Sequence, residues 1–331
     1  MTPVSVLVKT RSFSVIAVAV VVLLSLAFSF FFTQGSAPWQ VWLAVCALAV
    51  GIPHGALDHV VTFPQMRSAQ MAMFVLGYVG VAALVVIAIL VWPVGGFIFV
   101  VVMSAVHFGM GDASFVRQAG AQARALSAPW WVHAIPAGTL PIVIPLTNQG
   151  STEALALVNP ALIDWHFGAD TVVFWATVSL ALVCVGWLVV RRRYADARDI
   201  VVLGLLAILT PPLVAFAAYF GLWHALRHTA RLSQEMAPAK EIADRGHWVR
   251  ALWRVSVPGL PALLGTMVVA GGITLVGGWA VTEYLWVALA VVWALTVPHM
   301  ALTWRLDQSA LRDGGQHDSL PTRTPAPAKR R

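Results

Sequence analysis

Apolar residues occupy this chain in long runs that are separated by short polar segments. Several runs exceed 18 residues without a charged side chain, which is long enough for an α-helix to cross the hydrocarbon core of a bilayer. The pattern predicts an all-α integral membrane protein with about ten transmembrane helices. The predicted spans are 12–33, 38–60, 71–91, 94–115, 128–147, 170–190, 199–211, 212–231, 257–277 and 280–304.

The stretch 199–231 determines the number of crossings. As one helix it would be too long for a hydrocarbon core about 30 Å thick. Pro211 and Pro212 provide a break, because proline lacks the backbone donor and clashes with the preceding turn. We therefore predict two spans here, the first of them short.

The basic residues lie on one side of the predicted bundle. If the N-terminus is cytoplasmic, all 21 Lys and Arg residues fall in inner segments or at inner helix ends. The positive-inside rule then predicts that both termini are cytoplasmic, in a multi-pass protein of the cell (plasma) membrane. Topology explains the net charge of +7, and we expect no nucleic-acid partner. Residues 1–305 are expected to form the bundle, and the polar residues 306–331 a disordered cytoplasmic tail.

The predicted spans contain few polar groups. Charged residues make up 11% of the chain, against about 25% in soluble domains. Cys46 and Cys184 both lie in apolar segments, so neither a disulfide framework nor a thiolate metal site is implied. An ionisable group inside a span is costly and by default indicates a functional site.

Histidines dominate these groups, at similar depths in the inner halves of even-numbered spans. The five concerned are His54, His107, His224, His228 and His299. Four helices that present imidazoles at one depth can converge on a metal ion, and imidazole suits Zn, Cu, Fe and Ni. The i, i+4 spacing of His224 and His228 puts both on one helix face. No glutamate lies between them, which disfavours a zinc metalloprotease.

Other side chains near the histidines have more than one interpretation. Asp58 and Asp112 follow His54 and His107 closely, so they would be additional ligands, would orient the imidazoles, or would be solvated near the inner interface. Nearby aromatic residues would line a substrate channel or simply pack the helices. These are Phe108, Tyr219, Phe220 and Trp223.

At these residues the chain resembles the Brp/Blh family of bacterial and archaeal membrane proteins, whose members are β-carotene 15,15′-dioxygenases. The resemblance extends over about residues 50–304. It rests on Pro53-His54-Gly55-Ala56-Leu57-Asp58, His107-Phe108-Gly109 with Asp112, His224-x-x-Arg227-His228 and Pro298-His299.

The resemblance implies cleavage of the central 15,15′ double bond of β-carotene to two molecules of all-trans-retinal, with O₂ as co-substrate. It implies a non-haem Fe(II) held by His54, His107, His224 and His228, with His299 in the site or just behind it. No catalytic residue is expected beyond the metal ligands. A carotenoid would enter from the lipid, and its product would link the protein functionally to a rhodopsin.

Several other classes of membrane protein use histidine. Di-iron desaturases need about eight histidines, typically with adjacent pairs, and this chain has no His-His pair. A haem-binding carrier needs only two facing histidines. A transporter with a histidine proton relay should show broken helices in two related halves, and only the break at Pro211-Pro212 is visible. A membrane metalloenzyme acting on another lipid is a further alternative.

Overall fold

The computed structural model describes residues 6–29, 38–55, 57, 67–120, 128–278 and 283–316, and their regular structure is helical throughout. The helices are α1 (Val6–Ser29), α2 (Pro38–Gly55), α3 (Ser68–Val91), α4 (Pro93–Gln118), α5 (Trp131–Leu146), α6 (Gln149–Val158), α7 (Asp170–Val190), α8 (Tyr194–Leu209), α9 (Pro212–Ala217), α10 (Leu226–Glu235), α11 (Ala237–Asp244), α12 (Trp248–Ser256), α13 (Leu260–Val276) and α14 (Tyr284–Gln316). A π-helix (Ala218–Ala225) joins α9 to α10, and 3₁₀ turns occupy Pro160–Leu162 and Val257–Gly259.

Six helical segments in the described residues are long and apolar enough to cross a membrane, so the chain has the helices of an integral membrane protein. They are Val6–Phe28, Ser68–Val91, Pro93–Gln118, Asp170–Val190, Trp248–Val276 and Tyr284–Leu311. The predicted all-α class is confirmed. The number of ten spans and the cytoplasmic placement of both termini stay predictions.

The predicted break near residue 211 is present. Helix α8 ends at Leu209, and Thr210 has an extended backbone that Pro211 follows. Helix α9 begins at Pro212, in the first helical turn where a missing backbone donor costs nothing. From there the chain stays helical to Glu235, through the π-helix and α10.

Small residues allow α4 and α5 to cross at close range in the centre of the fold. A Cβ atom added to Gly109 would overlap the carbonyl oxygen of Ala134, and one added to Gly138 would overlap that of Ala105. Each helix thus places an alanine and a glycine four residues apart at the crossing. This small-xxx-small arrangement brings helices together in membranes. There the hydrophobic effect does not drive helices to associate, so close packing of their backbones matters more.

The end of the chain differs from the expected boundary at residue 306. Helix α14 continues to Gln316 rather than giving way to a tail. The added turns are held by packing and charge: Leu311 is buried, and Asp307 forms a buried ion pair with Arg231 of α10 at 2.5 Å. Residues 317–331 lie outside the part of the chain that the structure describes.

Candidate functional site

Four of the predicted histidines lie together in the helix bundle, and all four are buried. The ring centre of His107 is 5.2 Å from that of His224 and 5.0 Å from that of His299. His228 lies 5.8 Å from His299 and 6.2 Å from His224. Helices α4, α10 and α14, together with the π-helix, therefore supply one imidazole cluster.

The π-helix sets the position of His224 within this cluster. Its wider turn replaces the regular α-helix over Ala218–Ala225, and α-helical geometry resumes before His228. Single π-turns are rare and occur frequently at functional sites. The rings of His224 and His228 stand nearly parallel, with 19° between their planes. The i, i+4 spacing puts both histidines on one face only in a regular α-helix, and no sequence signal revealed the π-helix.

A threonine that the sequence analysis did not single out contacts the ring of His107. The Oγ1 of Thr303 lies 3.2 Å from Nδ1 of His107, and also 3.2 Å from the carbonyl oxygen of Met300 and 3.3 Å from that of His299. The hydroxyl has one proton. When it is donated to a carbonyl, the hydroxyl oxygen accepts from Nδ1–H, and when it is donated to Nδ1, the ring proton is on Nε2. In both arrangements Thr303 orients the ring of His107 through Nδ1, a contact of the kind that positions metal-binding imidazoles.

Asp112 has a different neighbourhood from the one expected. Its carboxylate accepts from Nη1 of Arg227 at 2.8 Å and from the indole of Trp223 at 3.0 Å, and it pairs with Nε2 of His133 at 2.8 Å. The structure gives Asp112 no hydrogen bond to His107. Asp112 thus holds the helix that carries the histidine pair, because Arg227 immediately precedes His228.

Arg227 belongs to a larger buried network of charges. Its guanidinium bonds Asp199 of α8 at 3.2 Å and Ser14 of α1 at 3.0 Å, and it lies 3.5 Å from the ring centre of Trp223. Arg11 of α1 bonds Asp199 at 2.9 Å as well. A buried charge is tolerable only with such pairing. The sequence analysis placed Arg227 in the family motif and, with the other basic residues, in inner segments or at inner helix ends, and it did not predict this network.

A cavity of about 690 Å³ opens beside the histidine cluster. Apolar side chains of α3, α13 and α14 form most of its wall, and His107, His224 and His299 lie on its surface. The hydroxyl of Tyr78 in α3 donates to the carbonyl oxygen of Leu295 in α14 at 2.9 Å. That bond uses one of the few polar groups in the wall. The volume lies within the usual range for small-molecule sites, about 300–1,000 Å³.

The four aromatic residues predicted to line a channel divide into two pairs. Phe108 and Phe220 line the large cavity, and the ring of Phe108 lies 4.1 Å from that of His224. Tyr219 and Trp223 are fully buried and face a much smaller cavity beside Asp112. Their position is that of packing residues behind the histidine pair.

Helix α2 ends against the cluster. A Cβ atom added to Gly51 would overlap the ring of Phe220, and one added to Gly55 would lie 3.1 Å from Nδ1 of His299. Two glycines one turn apart thus let the backbone of α2 approach the imidazoles. The side chain of His54 and the whole of Asp58, both predicted site residues, lie outside the described residues.

The imidazole nitrogens of the cluster are donors that suit a transition-metal ion. Two imidazoles that share one ion at metal–nitrogen distances of about 2.1 Å have ring centres about 5 Å apart, similar to the spacing found here. Among the side chains that the structure describes, no three His, Cys, Asp or Glu residues form a group ready to hold a metal ion.

Comparison with known sequences identifies the family. The family model described as Beta-carotene 15,15′-dioxygenase matches residues 45–307, which include the four clustered histidines and every residue that lines the cavity. The chain belongs to this family. The matched region begins within α2 and ends within α14.

Two curated relatives carry the same description. A Beta-carotene 15,15′-dioxygenase of an uncultured marine bacterium (66A03) is 27% identical over 273 residues, 78% of this chain and 91% of that protein. A Probable beta-carotene 15,15′-dioxygenase Blh of Halobacterium salinarum is 27% identical over 297 residues, 79% of this chain and 83% of that protein. No solved structure gives a significant match.

Proposed function

We propose that this protein cleaves the central 15,15′ double bond of β-carotene with O₂ to give two molecules of all-trans-retinal, in the cell membrane. The observation that carries the proposal is the apolar cavity that ends on three imidazoles. Family membership supplies the reaction class. In the balanced reaction, the carbon–carbon double bond breaks and each carbon receives one oxygen atom of O₂.

The shape of the cavity supports a long hydrocarbon substrate. Its lining on α3 extends from Phe74 to Leu90, about 24 Å at 1.5 Å per residue. A carotenoid is comparable in length to the hydrocarbon core, about 30 Å. Such a molecule is dissolved in the bilayer, so it would reach the imidazoles between helices without entering water. Phe108 and Phe220 would then contact the polyene next to His224.

We propose that His54, His107, His224 and His228 hold Fe(II), with His299 as a further ligand or a neighbour. Bound ferrous iron would supply the activation of O₂ that oxidation of an alkene requires. The chain's own residues would orient the iron ligands and exclude water from the site. Thr303 would orient the ring of His107 through Nδ1, Arg227 and Asp112 would hold the turn before His228, and the apolar wall would keep water away. No acid or base is needed.

The experiment is product analysis in bacterial cells that accumulate β-carotene. We expect retinal from the parent chain, and none from His107→Ala or His224→Ala at equal levels of membrane protein. His166→Ala is the matched control, since His166 lies outside the cluster and caps a turn at Gly168. Iron content of the purified proteins is the second measurement, and it should fall in the two cluster variants only. Unchanged carotene with a folded, iron-loaded parent protein would exclude β-carotene as the substrate.

A further inference from the structure

Helix α12 leaves an apolar face uncovered. Val249 and Trp253, one turn apart, are 61% and 66% exposed. On the other side of the helix, Ala251, Leu252 and Val255 are buried against the protein. At 100° per residue the buried positions and the exposed pair lie on different faces of the helix. Val249 and Trp253 therefore belong to one exposed apolar face.

Two arginines border the exposed face. Arg250 and Arg254 are four residues apart, follow Val249 and Trp253 by one position each, and are both exposed. Neither forms an ion pair or a hydrogen bond with any residue that the structure describes. An apolar strip beside a row of arginines suits the boundary region of a bilayer, where the apolar side chains contact acyl chains and the arginines contact phosphate groups.

Helix length puts α12 at that boundary. The segment Trp248–Val276 has 29 residues, which at 1.5 Å per residue gives about 43 Å. The hydrocarbon core is about 30 Å thick, so a segment of this length that is not tilted extends into the headgroup region at one end. The apolar sequence of α13 fits the core, and the two arginines fit the headgroup end. Helix α13 also lines the large cavity through Ala262, Gly265 and Thr266.

We propose that α12 is an anionic-phospholipid binding helix, with Val249 and Trp253 among the acyl chains and Arg250 and Arg254 on the headgroup phosphates. Basic side chains near an anionic surface gain about fivefold in affinity each. The bound lipids would fix the end of α13, and with it one wall of the cavity. This proposal concerns the lipid alone and does not depend on the cleavage reaction.

The test uses the purified full-length protein in nanodiscs of phosphatidylcholine mixed with phosphatidylglycerol, one of the two lipids being brominated on its chains. The signal of Trp253 is taken as the difference between the parent protein and Trp253→Phe. We expect brominated phosphatidylglycerol to quench this signal more strongly than brominated phosphatidylcholine at equal amounts. The preference should weaken as the salt concentration rises.

Charge variants decide the role of the arginines. Arg250→Gln with Arg254→Gln should remove the preference, while Arg250→Lys with Arg254→Lys should retain it. Lys240→Gln with Arg305→Gln removes two exposed charges elsewhere and should also retain it. Equal quenching by both lipids in the parent protein, or a preference that survives the double glutamine change, would overturn the proposal.

Discussion

The guanidinium of Arg227 lies 2.8 Å from the carboxylate of Asp112, and this bond fixes the helical turn from which His228 extends. Both side chains are almost completely buried. Asp199 also contacts Arg227, so one cation stands between two anions on different helices. The histidine pair is thereby connected to α4 and α8 through charges that the surrounding lipid cannot solvate.

Replacing Asp112 by alanine should destabilise the protein strongly. The change leaves Arg227 and His133 without their shared partner, and breaking a buried ion pair costs about 3–5 kcal/mol. We expect a large fall in the midpoint of thermal unfolding in detergent. Asp164→Asn is the control, because Asp164 is exposed and its side chain forms no ion pair with the described residues. An unchanged midpoint for Asp112→Ala would show that the network does not hold the fold.

The sequence was informative about the histidines because their depth in each span depends only on helix rise and on the positions of charges. His107, His224, His228 and His299 come together as predicted from that depth. The role of Asp112 was not predictable in the same way. Its distance from His107 along the chain suggested one partner, while the fold supplies Arg227 from a helix more than a hundred residues away.

Other features of the site leave no mark in the residue pattern. The π-helix before His228 consists mainly of apolar residues that would suit an α-helix equally well. Thr303 was hidden because a threonine in a helix usually bonds its own backbone, and this one does so too. Its contact with His107 appears only when α4 and α14 are placed side by side.

Replacing Thr303 by valine should impair the site without unfolding the protein. Valine has the shape of threonine, but the hydroxyl beside Nδ1 of His107 is lost, so the ring is no longer held in one orientation. Loss of such an orienting bond typically lowers metal affinity or activity about 10- to 100-fold. We expect that range for iron affinity, measured by chelator competition on the purified protein.

Two further variants distinguish loss of the hydroxyl from a general effect of substitution. Thr303→Ser should restore most of the affinity, because it keeps the hydroxyl. Thr274→Val is the matched control: Thr274 is buried and its hydroxyl bonds only the carbonyl oxygen of Ala270 in its own helix. Equal iron affinity in Thr303→Val and the parent protein would rule out the orienting role.

Replacing Gly51 by alanine should disturb the ring of Phe220. The added methyl group would overlap this ring, and forcing extra volume into a packed site costs about 1–3 kcal/mol. We expect slower retinal formation, and recovery when Phe220→Leu is combined with Gly51→Ala. Gly80→Ala is the control, since no atom lies within 4 Å of a Cβ added there. Additive effects of the two changes would contradict direct contact.

A bulky residue in the cavity wall should block the substrate and spare the histidines. Ala83 lines the cavity on α3, whereas its neighbour Leu84 is 69% exposed and is not part of the wall. Ala83→Phe should therefore lower the consumption of β-carotene at least about tenfold, as expected for loss of more than 1.4 kcal/mol of binding. Leu84→Phe, one position further along the same helix, should leave it unchanged. Iron content should equal that of the parent in both variants, because neither position touches an imidazole. If Ala83→Phe retained full activity with β-carotene, the substrate would have to bind outside this cavity.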